Sequence, residues 1–231
     1  MLKNLSGLAL VAAFVFGAFH QISAQEMTFK AEDLAVLTKN ASEKLEGRAY
    51  RSNTVNVFYK NGSAASTSTT KSIREFIPPD RVHYVFEAKD AKSTTRYELI
   101  RIGEKTYTRA NDEEWKEGGS GSGMGSGIGD GDTAVKIERS EKRILKKGVL
   151  LNKQKVDFYE TEVTVKYIYP NQTYTTVYSD SYWFNAGGMY VKTESVYLDN
   201  SSKNTSRNTT EYEYNPKIKI AAPILPKQKK T

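Results

Sequence analysis

Over residues 72–115 apolar and polar side chains trade places one by one in several short runs, so this part of the chain must form a sheet and then cover it. Residues 73–77 run into Pro78, Pro79 and Asp80, a turn that no helix crosses. In the next run, 81–87, Val82, Tyr84 and Phe86 fall on one face, with Arg81, His83 and Glu87 on the other. Runs at 97–102 and 105–109 meet at Gly103 and Glu104, and Trp115 closes the stretch. The pattern predicts an antiparallel meander with one face rich in large apolar groups.

The N-terminus reads as an export signal. Lys3 supplies the positive start, and residues 8–19 form an apolar run too short to span a bilayer comfortably. Ser23 and Ala24 are the small residues expected before cleavage, which places the signal peptide at 1–24. One domain is expected over 25–223, with a disordered basic tail over 224–231. The chain has no cysteine, which excludes disulfides, thiolate chemistry and the lipid-modified cysteine of a lipoprotein. A soluble periplasmic or secreted monomer is the expectation.

Elsewhere, residues 29–45 carry Leu34, Leu37, Ala41 and Leu45 at spacings of three and four, the stripe of an amphipathic helix stopped by Gly47. Residues 50–59 read as a strand with Val55, Val57 and Tyr59 on one face. Asn61 and Gly62 signal a hairpin, and the Ser/Thr-rich return at 64–70 reads as a solvated edge. Residues 118–132 are too glycine-rich to pack a core and read as a flexible loop. A second helix is expected over 133–147, where Ala134, Ile137 and Ile144 sit among charged residues. A second β block follows, in which Val163, Val165, Tyr167 and Tyr169 share a face. The total is nine or ten strands in two meanders. The expected fold class is mainly β with helices, a curled antiparallel sheet whose open side the helices cover.

Little in this chain suits catalysis. After the signal the one histidine is His83, on the polar face of a strand, and no serine sits in a nucleophile elbow. One histidine without cysteine is a poor donor set for zinc. Glu113 with Glu114, Glu160 with Glu162, and Glu211 with Glu213 have spacing open to paired-carboxylate hydrolysis, but solvent-facing alternation produces the same pattern. The glycine-rich loop lacks the lysine of a phosphate loop, and Asp130 and Asp132 are only a fragment of a calcium repeat. The formal charge of +7 is spread along the chain, and with an export signal it suggests no nucleic-acid partner. The basic residues of 133–147 and Lys227, Lys229 and Lys230 suit transient contact with an anionic membrane surface. No cofactor, metal or enzymatic activity is expected. What remains is a wealth of aromatic residues, including 15 tyrosines, which fits either a filled core or a hollow one.

Several motifs resemble one family. Arg74-Glu75-Phe76-Ile77-Pro78-Pro79-Asp80-Arg81 before an alternating strand resembles a step of the LolA/LolB and LppX-like lipoprotein-carrier superfamily. So do Ile102-Gly103 with Tyr107 and Trp115, the run Trp183-Phe184 to Gly188-Met189 with Lys192 and Glu194, and the closing Tyr212, Tyr214, Asn215, Ile218, Ile220 and Pro223. The resemblance covers nearly all of the mature chain. It implies a half-open β-barrel closed by helices, with a hydrophobic cavity for lipid or lipoprotein acyl chains in transit across the periplasm. The glycine-rich insertion is not part of the family pattern.

On this basis the expected role is a non-enzymatic periplasmic carrier of acyl chains. The candidate lining is Val57, Tyr59, Phe76, Val82, Tyr84, Phe86, Tyr97, Leu99, Trp115, Val165, Tyr167 and Trp183. The alternative is an envelope structural module with a filled core, which pairs with a protein partner and holds no ligand.

Overall fold

In the computed structural model, which describes residues 26–63, 65–118 and 136–226, the alternating runs join into one antiparallel sheet of twelve strands. In chain order these are β1 (Glu26–Met27), β2 (Tyr50–Tyr59), β3 (Ser68–Ile77), β4 (Arg81–Asp90), β5 (Thr94–Ile102), β6 (Lys105–Ala110) and β7 (Lys116–Glu117), then β8 (Lys136–Leu151), β9 (Gln154–Ile168), β10 (Thr173–Phe184), β11 (Tyr190–Asp199) and β12 (Asn204–Tyr214). One helix, α1 (Ala31–Glu46), precedes β2. The spatial order is β1-β8-β9-β10-β11-β12-β2-β3-β4-β5-β6-β7, so the last strand pairs with the first long one and welds the two meanders together. The sheet is open, with β1 and β7 at its edges.

Most of the expected strands appear where the alternation put them. Gly103, at φ +60°, begins the two-residue turn that pairs Ile102 with Lys105, a backbone shape that glycine adopts freely. The Ser/Thr-rich return is a correction: β3 is not an edge but an interior strand between β2 and β4. Its hydroxyl residues are half-buried on both faces of a fully paired strand rather than along an unpaired margin.

The second helix is also a correction. From Lys136 onward the chain is a strand, β8, paired with β9 from Lys136↔Ile168 to Leu151↔Gln154 across a bulge after Lys146. The spacing of Ile137 and Ile144 suggested a helix, but in the strand these two residues face opposite ways. Ile137 and Leu145 share a face instead. The long ladder with β9 overrides the helical preference of the Lys, Arg and Glu residues between them. The proposed signal peptide, most of the glycine-rich loop and residues 227–231 lie outside the described residues.

The helix forms as its stripe predicts. Glu32 and Asp33 sit in its first turn and Lys44 in its last, favourable signs for the helix dipole. Ala41 is fully buried against Phe184 and Tyr190, and Leu34, Leu37 and Leu45 pack around them with Tyr159, Tyr182 and Tyr212. Phe184 lies 5.2 Å from Tyr190 and 5.6 Å from Tyr159, ring to ring. Polar contacts fix the helix in place. The Tyr190 hydroxyl donates to the Thr38 carbonyl at 3.0 Å, and Lys44 Nζ donates to the Gly187 carbonyl at 2.7 Å. Burial raises the phenols of Tyr190, Tyr212 and Tyr214 above their ordinary range, so this aromatic core stays neutral.

Candidate functional site

Residues directly opposite in an antiparallel ladder point to the same side, so the pairing carries the helix-bearing face across the whole sheet. From Tyr212 under the helix the face continues through Ser52 on β2 and Arg74 on β3 to Tyr84 on β4 and Leu99 on β5. A parallel row runs through Ser72, Phe86 and Tyr97 to Ala110 on β6, and another through Tyr50, Phe76, Val82 and Arg101. The helix covers only one end of this face. Its contacts come from the β9–β12 half, near Tyr159, Phe184, Tyr190 and Tyr212. Tyr84, Phe86, Tyr97 and Leu99 form a two-by-two apolar block outside that cluster, each partly exposed.

Beyond the helix on the other wing the same face shows Tyr167, Tyr174, Tyr178 and Tyr197 with Ile137. Tyr178 is 41% exposed and lies 5.1 Å from Tyr197.

Eight of the twelve lining candidates thus share the helix-bearing face: Phe76, Val82, Tyr84, Phe86, Tyr97, Leu99, Val165 and Tyr167. The other four turn away from it. Val57 and Tyr59 alternate with Asn56 and Phe58 and face the opposite side. The run of alternation in β2 is right, but nothing in a single strand says which of its faces meets the helix. Trp183 sits on the opposite face against Phe158 at 4.9 Å, with Lys192 Nζ 4.6 Å above its ring. Trp115 lies under the Arg109 guanidinium at 4.8 Å, also on that side.

The opposite face holds a feature that the sequence reading missed. His83 is not a free surface residue. Its Nδ1 lies 3.0 Å from Glu75 Oε2 and its Nε2 lies 2.8 Å from Glu98 Oε1. Carboxylates only accept, so both contacts are hydrogen bonds only when each ring nitrogen carries a proton. Arg51 donates to Glu75 Oε1 through Nε at 2.9 Å and Nη2 at 2.6 Å, and Arg109 clamps Glu98 Oε2 at 2.9 and 2.7 Å. Burial pushes the carboxyls of Glu75 and Glu98 up. The hydrogen bonds from His83 and the arginines outweigh it, leaving both below the usual range. The C-terminal segment reaches this side, where Ile224, Leu225 and Pro226 share a recess of about 300 Å³ with Arg109 and Trp115. Arg51 and Arg109 each clamp one carboxylate and His83 bridges the two, so the network ties β2, β3, β4, β5 and β6 together.

No protein-family model matches the chain, and no curated protein matches it. Among solved structures, an outer membrane lipoprotein-sorting protein domain from Vibrio parahaemolyticus is similar at 13% identity, over 82% of this chain and 95% of that one, with a TM-score of 0.31. Likeness at that level does not establish a shared fold or role.

Proposed function

We propose that the protein is a non-enzymatic periplasmic carrier that binds an acyl chain of a lipid or lipoprotein on the helix-bearing face. The observation that carries this reading is the partly exposed block of Tyr84, Phe86, Tyr97 and Leu99, beyond the reach of α1. Apolar surface on one side of a sheet is stabilised by a cover, and among the described residues the chain supplies cover at one end only. An acyl chain laid along the block would leave water at about 0.8 kcal/mol per methylene. The sequence motifs that resemble the lipoprotein-carrier superfamily support the same reading, as does the predicted export signal. An envelope partner would deliver or receive the chain.

The test contrasts the two faces. Phe86→Asp places a charge in the apolar block, whereas Val57→Asp places one on the other side of the sheet. Uptake of a fluorescent fatty acid by the purified chain should fall at least about tenfold in Phe86→Asp and stay within about twofold in Val57→Asp. Both variants must keep the thermal transition of the parent. Equal losses, or no uptake by the parent, would remove the carrier reading in favour of a structural module.

A further inference from the structure

Charge is sorted unequally between the two sides of β2–β6 and β12. Glu75, Glu87, Glu98, Glu211 and Glu213 all face away from the helix side. On the helix side of these strands the acid is Asp90, at the tip of β4, and it is held in its own turn by the backbone N–H groups of Lys92 and Ser93. Yet this side carries two arginines, Arg74 and Arg101, both exposed. Among the described residues neither guanidinium has a carboxylate within ion-pair distance, and Arg74 leans over the Tyr50 ring at 6.0 Å. The contrast with β8 is direct, because Arg139 and Arg143 on the same face both pair with Glu141.

The two unpaired arginines flank the apolar block. Arg74 stands beside Tyr84 in one row, and Arg101 stands beside Val82 in the next. They are two strand spacings apart, about 10 Å, and offset along the strands by about 7 Å. The Arg74 guanidinium rests over Tyr50 on β2, and a swing of its side chain across Tyr84 on β4 would bring it toward Arg101 on β5. A guanidinium pair in this position suits an oxyanion that accepts several charge-assisted hydrogen bonds.

We infer that Arg74 and Arg101 form the headgroup end of the acyl site and select an amphiphile with an anionic oxyanion head, phosphate or carboxylate, over a neutral one. The head sits between the two guanidiniums near Tyr84, and the chain runs over Leu99, Phe86 and Tyr97 away from the helix. This rests on the acyl-carrier reading, which supplies the tail's place.

The experiment measures binding of dodecyl phosphate, dodecanol and inorganic phosphate, each below any micelle concentration, by titration calorimetry. The proteins are the parent, the double variant Arg74→Gln/Arg101→Gln and the control Arg139→Gln, each checked for an unchanged thermal transition. The parent should bind dodecyl phosphate at least about tenfold tighter than dodecanol. The double variant should lose that margin while dodecanol binding holds, and Arg139→Gln should keep it. Equal binding of the two amphiphiles by the parent would leave the acyl site standing and overturn the headgroup assignment. A margin that survives the double variant, or vanishes in Arg139→Gln, overturns it as well. Inorganic phosphate bound at the arginines with neither amphiphile bound would reassign the pair to a free anion and sink the acyl reading. No binding of any probe would sink both.

Discussion

The two sides of this sheet are stabilised by different physics. The side that bears α1 is closed by rings and aliphatic groups around Ala41, Phe184 and Tyr190, and two polar contacts anchor the helix there. The other side, at β2–β6, is tied by a chain of ion pairs and hydrogen bonds from Arg51 through Glu75, His83 and Glu98 to Arg109 and the Trp115 ring. Apolar burial is non-directional and can be completed by any cover, including a ligand. A satisfied ion chain is directional and complete in itself. On the carrier reading, an exchangeable partner would take the side whose cover stops short among the described residues, with the ionic side tying β2–β6 together beneath it.

The largest effect should come from the apolar side. Phe184 is 2% exposed, and Phe184→Ala should cost about 3–5 kcal/mol in urea unfolding, because the helix and the neighbouring tyrosines cannot collapse into the space. A loss below about 1 kcal/mol would mean that α1 does not clamp the sheet there.

The ionic side should respond less and with a pH signature. Glu98→Ala leaves His83 and Arg109 without their shared carboxylate. Both are partly solvated, so the cost should be about 2 kcal/mol at neutral pH. Glu75 and Glu98 are held below the ordinary carboxylate range in the folded chain, so the unfolded chain takes up protons first as the solution acidifies. The stabilisation contributed by these two depressed carboxyls is present above about pH 5 and is lost as pH falls through their folded-state values. In the parent, stability followed by urea midpoint should decline over that acid range. In Glu98→Ala the decline should be shallower, and an unchanged slope would contradict the network.

The smallest effect should be Trp115→Ala. It removes a ring under a partly exposed guanidinium and should cost about 0.5–1 kcal/mol in the same assay. A larger loss would show that the C-terminal segment at Ile224 and Leu225 depends on this ring for its place.

Much of the sheet was legible because alternation is a local signal. The runs at 81–87 and 97–102 needed only their own side chains to be read as strands, and the helix needed only Leu34, Leu37, Ala41 and Leu45. What local pattern could not give was the pairing of β12 with β2, since that bond joins residues such as Tyr212 and Ser52 from opposite ends of the chain. Without it, the inward face of β2 is undetermined, and alternation alone puts Val57 and Tyr59 among the lining residues. The segment of β8 reads as a helix from its own residues because its lysines, arginines and glutamates favour a helix until β9 is alongside. His83 looked solvated because Glu75 and Glu98 approach it from two neighbouring strands. Arg74 and Arg101 carried a usable signal, since each alternates in phase with Phe76 or with Tyr97 and Leu99. Their lack of partners required both faces to be known.

The most direct test of the carrier claim is to photolyse a diazirine-bearing fatty acid bound to the purified chain and map the labelled peptides by mass spectrometry. Label is expected on β4 and β5 at Tyr84, Phe86, Tyr97 or Leu99, competed away by unlabelled fatty acid. Label concentrated at Val57, Trp183 or the Ile224 segment, or no competable label at all, would contradict the carrier claim.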